Sequence, residues 1–125
     1  MTVFEVAERL VALCSERKFL EAGDELWAHD VVSIEPMQGE MARLEGRDAV
    51  RAKGEWWVGA HDIHSCSMGE PYFNGDTFAV RYQFDLTDKP TGQRRMLDEL
   101  GLYRVEGGKI AEEMFLVPKA YFAAS

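Results

Sequence analysis

Carboxylates recur among apolar residues along Gln93 to Val117, QRRMLDELGLYRVEGGKIAEEMFLV, and these acids are the side chains best placed to do chemistry. Asp98, Glu99, Glu112 and Glu113 stand where a strand covered on both faces would carry only Leu, Val or Phe. Glu35, directly before Pro36, is a further acid at the end of the β-branched run Val31-Val32-Ser33-Ile34. Two carboxylates in one apolar pocket raise at least one pKa by desolvation and mutual repulsion, which leaves a proton donor near neutral pH. Such a pocket supports proton transfer next to a carbonyl.

Which acids meet depends on the turn at Glu106-Gly107-Gly108. A three-residue loop pairs Val105 with Lys109 and sets Gly101 opposite Glu113. Glu99 and Glu113 then become diagonal neighbours on a face shared with Tyr103, Phe115 and Val117. A two-residue Gly107-Gly108 loop puts Glu99 with Glu112 instead. The three-residue loop is the expectation, since Gly108 suits the left-handed angle it needs. The opposite face then carries Asp98, Leu100, Leu102, Arg104, Ile110, Glu112, Met114 and Leu116, too apolar for solvent, and burial in a dimer is expected. The competing reading is that Glu99 or Glu113 pairs with Arg95, Arg81 or a buried polar group and does no chemistry.

The elements that must hold these acids are legible in the periodicity. Thr2 with Glu5 matches a capping box, and Val3, Val6, Leu10, Val11 and Cys14 follow at helical spacing, predicting a helix that ends near Lys18. Phe19 to Ala28 reads as a shorter helix weakened by Gly23. Val31 to Ile34 reads as a strand ended by Pro36, residues 37 to 46 as a loop, and Arg47 to Trp57 as a third helix. From His61 the period becomes two. His61 to Tyr72 is a strand interrupted at Gly69 and Pro71, Asn74-Gly75 marks a hairpin, and Thr77 to Leu86 places Phe78, Val80, Tyr82 and Phe84 on one face. Asp88 to Gly92 turns the chain into the acidic hairpin, and Tyr121 and Phe122 are expected to tuck the tail against the body. The order predicts an α+β fold, residues 1–125 as one domain, with three N-terminal helices packed on one face of a curved antiparallel sheet.

Composition narrows the functions. With 125 residues the chain can bury a substantial core, and seven Phe, four Tyr and three Trp are enough to line a cavity. A formal charge of −8 argues against nucleic acid, whose affinity rests on clustered Lys and Arg. Cys14 and Cys66 suit a reduced chain, Glu5, Glu8 and Arg9 break any signal-peptide core, and no run reaches membrane-spanning length, so a cytoplasmic protein without membrane contact is expected. His61 and His64 are three apart on a strand and point to opposite faces, so no metal is expected there. No dinucleotide, phosphate-loop or nucleophile motif is present, and no cofactor is expected.

The strings HDVVSIEP (29–36), LEGRDAV (44–50), NGD (74–76) and LYRVEGGKI (102–110), in this order of elements, resemble the SnoaL-like and ketosteroid-isomerase-like branch of the NTF2-like (cystatin-like) superfamily over nearly the whole chain. The resemblance implies a cone-shaped barrel around an apolar pocket, a homodimer joined through the outer sheet face, and Glu113 pointing inward. In the isomerases a carboxylate before a proline, matched by Glu35, shuttles a proton. A tyrosine on the first helix and an acid on the penultimate strand stabilise the enolate, the arrangement known from ketosteroid isomerase. This chain has no tyrosine before Tyr72 and carries Gly101 at the acid's place. The resulting expectation is a pocket for a small apolar or aromatic molecule, lined by Trp57, Val80, Tyr82, Tyr103 and Phe115, with Glu35, Glu99 and Glu113 doing acid-base isomerisation, cyclisation or hydration. The alternative is a non-catalytic ligand-binding or dimeric assembly module.

Overall fold

A computed structural model describes residues 1–123. Its elements are α1 (Val3–Ser15), α2 (Phe19–Leu26), β1 (Trp27–Ile34), β2 (Arg43–Glu45), α3 (Arg47–Ala60), β3 (His61–Met68), β4 (Tyr72–Asn74), β5 (Thr77–Asp88), β6 (Gln93–Glu106), β7 (Lys109–Leu116) and α4 (Lys119–Ala123). The strands form one curved, non-closed sheet in the order β2-β1-β7-β6-β5-β3, with β4 also paired to β5. The fold is the expected α+β cone, but the sheet is mixed: β1 runs parallel to β7. These two strands are far apart in sequence, so no hairpin dictates their direction.

Local chemistry accounts for most elements. Thr2 Oγ1 accepts from the Glu5 amide at 3.1 Å and Glu5 Oε1 accepts from the Thr2 amide at 2.9 Å, closing the capping box of α1. Beyond α1, Arg17 takes a left-handed φ of 63° and its guanidinium donates to the carbonyls of Ile63 and His64, at 2.8 and 3.0 Å, tying the α1–α2 corner to β3. The alternation of β5 buries Phe78, Val80, Tyr82, Phe84 and Leu86 beneath Val6, Leu10, Leu13 and Cys14 of α1. Among the described residues no helix is long and apolar enough to cross a membrane.

Several expectations shift. Trp27 and Ala28 belong to β1, which starts earlier than the β-branched run, because α2 ends at Leu26. The stretch read as a loop contains β2, whose Leu44 pairs with Ser33. The strand is interrupted at Gly69 to Pro71 as expected, with Met68 opposite Tyr82 and Tyr72 opposite Ala79, and a further irregularity falls at His64, between the pairs Ile63–Leu86 and Ser65–Asp85. The β4–β5 turn is Gly75-Asp76, with Asn74 paired to Thr77. Tyr121 and Phe122 remain about half exposed, at 45% and 55%.

The β6–β7 turn corrects the central register. Glu106 pairs with Lys109, so the loop is the two residues Gly107-Gly108, both at positive φ. A register shift follows: Val105 pairs with Ile110 but Arg104 pairs with Glu112, leaving Ala111 as an extra residue on β7. The two-residue loop pairs Ile110 with Val105 and turns it inward, where it is 1% exposed, rather than outward as the three-residue loop would have it. The bulge then sets Tyr103, not Gly101, opposite Glu113, so Glu99 and Glu113 share a face without being diagonal neighbours.

Candidate functional site

Between helices and sheet lies a cavity of about 150 Å³, lined by Trp27, Trp57, Tyr82, Phe84, Tyr103, Ile110 and Phe115 and by Glu35, Lys53, Glu99 and Glu113. A second chamber of about 250 Å³ opens beyond it, walled by Met37, Met41, Trp56, His61, Arg95, Val117 and Tyr121. Glu35, Lys53, Trp57 and Glu99 line both chambers and so mark where they join. The structure thus brings Glu35, Glu99, Glu113, Trp57, Tyr82, Tyr103 and Phe115 to one space. Val80 does not reach it: it is fully buried in the β5 core, between Phe78 and Tyr82 on the same face.

The polar groups form a chain across the cavity wall. Trp27 Nε1 donates to Glu113 Oε1 at 2.8 Å, and Ser33 Oγ donates to Glu113 Oε2 at 2.8 Å. Lys53 Nζ donates to Ser33 Oγ at 2.5 Å and to Glu35 Oε1 at 2.9 Å. Glu113 is therefore anchored on both oxygens. Burial nonetheless pushes its pKa up, against the lowering effect of the Ser33 and Trp27 hydrogen bonds and the Lys53 charge.

Trp27 reaches Glu113 because Gly23 leaves room: a Cβ there would lie 2.4 Å from the indole ring. The glycine that weakens α2 by propensity is thus a close-approach site. On β6 the same device recurs at Gly101, where a Cβ would meet the Tyr103 hydroxyl at 2.7 Å. Tyr103 leans back along its own strand into the space of the missing side chain, and its hydroxyl makes a short hydrogen bond with that of Tyr82. Both phenols are buried, which holds their pKa values well above the usual tyrosine range.

Glu99 differs from the other two acids. Among the described residues its carboxyl has no hydrogen bond or ion pair, since Arg95 is held by Asp88 at 2.8 Å and Arg81 by Asp98 at 2.7 Å. The pairing alternative for Glu99 is therefore not realised, while Glu113 does have buried polar partners. Burial, then repulsion from Glu35 and Glu113, raises the Glu99 pKa from 4.5 to about 7, partly offset by Lys53 and Arg95. This group exchanges a proton near neutrality.

Lys53, Ser33 and Trp27 are parts of the site that the residue pattern did not assign. The signal for Lys53 was present: it lies three residues after Val50 and four before Trp57, on the inner stripe of α3 rather than on its solvent face. The histidines separate as expected. His61 Nε2 meets Asp88 at 2.9 Å, while exposed His64 meets Thr87 Oγ1 at 2.8 Å and lines neither chamber.

Outside the cone, ion pairs Arg81–Asp98 and Arg94–Asp85 flank an apolar strip on β6 and β7 that leaves Met96, Leu100 and Leu116 exposed at 71%, 39% and 42%. Arg104 lies directly opposite Glu112, at 3.9 Å, and 3.0 Å from Glu106.

Comparison with known proteins agrees with this fold. A candidate SnoaL-like polyketide cyclase from Mesorhizobium loti is 43% identical, with a TM-score of 0.88 over 93% of this chain and 99% of that one. A candidate isomerase from Bacillus subtilis shares the fold at 20% identity, TM-score 0.77, over 100% of this chain and 98% of the other. TerC, crystallised with polyporic acid, does so at 15% identity, TM-score 0.76, over 98% and 95%. No curated protein matches the sequence. The SnoaL-like domain model matches residues 1–117, and the chain belongs to the SnoaL-like family.

Proposed function

We propose that the protein binds a small, largely aromatic carbonyl compound and catalyses proton transfer next to the carbonyl, as an isomerase, cyclase or hydratase does. The observation that carries this reading is Glu99: an unpaired carboxyl with a pKa of about 7 on the wall of an apolar cavity. A general acid-base works best when its pKa lies near the working pH. Burial supplies most of that rise, the charges of Glu35 and Glu113 add to it, and Lys53 opposes it. The inner chamber matches a single ring, by the scale of cavities that take up benzene. With the outer chamber it accommodates a larger fused or substituted ring system. The co-crystallisation of TerC with polyporic acid and the name of the Mesorhizobium relative are in keeping with such a ligand.

Hydrogen–deuterium exchange at the α-carbon of a small aryl ketone, followed by NMR, tests the reading. The wild type should accelerate exchange, with a rate that rises through pH 7 as Glu99 ionises. Glu99→Gln should abolish the acceleration and Glu35→Gln should shift its pH midpoint downward. Equal exchange with wild type and Glu99→Gln would overturn the proposal. The exposed Leu100 and Leu116 support a homodimer through the outer sheet face, which leaves the cavity mouth free.

A further inference from the structure

We infer that Tyr82 and Tyr103 form a paired-hydroxyl subsite that binds an oxygen acceptor of the ligand, with Gly101 as the space that makes it. The inference rests on the proposed ligand class and specifies where its oxygen sits. Two phenols own two hydroxyl protons. One is used in the bond between Tyr82 and Tyr103. Among the described residues the second finds only the Cys14 thiol, beside Tyr82, as a further hydrogen-bond partner, and sulfur is a weak acceptor. The thiol itself stays neutral, pushed up to about 12 chiefly by burial. A buried hydroxyl proton lacking a strong acceptor is costly, and both tyrosines line the inner chamber. A ligand oxygen there completes the network, and the bond between the phenols polarises the donor that meets it.

The position fits the proton-transfer group. Tyr103 Oη would lie 2.7 Å from a Cβ at residue 101, and residues 99 and 101 are successive positions on one strand face, roughly 7 Å apart along it. That span suits a carbonyl oxygen held by Tyr103 with its α-carbon presented to Glu99. Tyr82 pairs across the sheet with Glu99, which brings its ring to the same region. Charge is supplied nearby: Gly101 pairs with Phe115, and Lys53 Nζ stands 5.8 Å from the centroid of that ring. An oxygen gaining negative charge is therefore met by the one free phenol proton, polarised by the second phenol, with the Lys53 ammonium on the wall of the same cavity. Neither phenol is a candidate to ionise first, since burial holds both protonated through the range in which Glu99 titrates.

Substituted phenols graded in acidity, each compared with the benzene lacking the hydroxyl, are the probes, and their dissociation constants with the intact protein are the measurement. Wild type should bind phenols more tightly than the matched benzenes, by a margin that grows with phenol acidity. Tyr103→Phe should lose about 10-fold for the most acidic phenol and little for its benzene partner, the scale of a hydrogen bond to a charged oxygen. Gly101→Ala keeps both hydroxyls but displaces that of Tyr103, and should flatten the same dependence on acidity. Tyr82→Phe provides a third variant should either of these fail to fold, with a smaller but parallel loss. A merely structural role would lower stability and weaken all probes alike. Equal binding of phenols and benzenes, or an acidity dependence unchanged in Tyr103→Phe, overturns the subsite while leaving Glu99 chemistry intact. Binding of neither probe class overturns the subsite together with the aromatic-ligand reading.

Discussion

Replacing Glu99 by Gln should stabilise the protein, and only above the acidic range. The folded carboxyl has a pKa of about 7 against 4.5 for an ordinary glutamate. Between those values the native state binds the proton that the unfolded chain has released, so stability falls as pH rises from 4.5 and levels off above 7. Each pKa unit corresponds to about 1.4 kcal/mol, so the wild type should be weaker by about 3 kcal/mol at pH 8 than this group alone would leave it at pH 4. Glutamine has no charge to desolvate and should remove the decline. It also removes the repulsion that Glu99 has with Glu35 and Glu113, and this reinforces the effect at high pH. Urea unfolding of both proteins at pH 5, 6, 7 and 8 gives the difference directly. Groups uncoupled to Glu99 cancel in that difference. A carboxyl-carbon NMR titration of Glu99 supplies the midpoint independently. Parallel stability profiles for the two proteins, or a Glu99 midpoint near 4.5, would refute the reasoning, and with it the claim that this acid is poised for proton transfer.

Removing the cation should move the same midpoint the other way. Lys53→Met is expected to raise the Glu99 titration above its present value of about 7 in the NMR experiment, and to cost about 2 kcal/mol at pH 8 by leaving Glu35 and Ser33 without their partner. Gly23→Ala should lower stability by about 2 kcal/mol in thermal or urea melts, because the Trp27 ring must shift from its place 2.4 Å from the new methyl group and release Glu113 Oε1. Thr2→Ala should cost about 1 kcal/mol through loss of the α1 cap, with ligand binding unchanged. Leu100→Asp combined with Leu116→Asp should convert a dimer to a monomer in sedimentation equilibrium, and a monomeric wild type at micromolar concentration would contradict the outer-face interface.

The parts of the fold legible in the sequence are those where one local rule operates without competition. The capping box fixes the start of α1, and the alternation from Phe78 to Phe84 fixes both the strand and its buried face. What escaped the pattern depends on partners distant in sequence. β2 is three residues long and exists because it pairs with β1, so no periodicity marks it. Ser33 looks like a tolerated polar residue in a strand until Lys53, from α3, and Glu113, from β7, converge on it. Trp27 reads as the end of a helix, yet its indole nitrogen completes the shell of an acid 86 residues away. Val80 shows the converse: the right face of the right strand places it in the core, but how far the cavity extends is set by the helices above.

The hairpin register carries the sharpest instance, because the expected face for Glu113 is correct although the expected loop is not. Parity decides which acid points inward, and an unbroken two-residue hairpin would have turned Glu112 toward the cavity in place of Glu113. The extra residue Ala111 shifts the pairing by one and restores Glu113 to the inner face. A trace of this is visible in composition alone. Ile110 and Phe115 are both large apolar residues suited to the interior, and they are five apart, an odd number that strict alternation cannot place on one face. If both are to be inside, one residue between them must be unpaired, and small Ala111 is the least costly to leave so. Glu112 then faces Arg104 on the outside, Glu113 meets Trp27 and Ser33 within, and each acid finds the partner its environment requires.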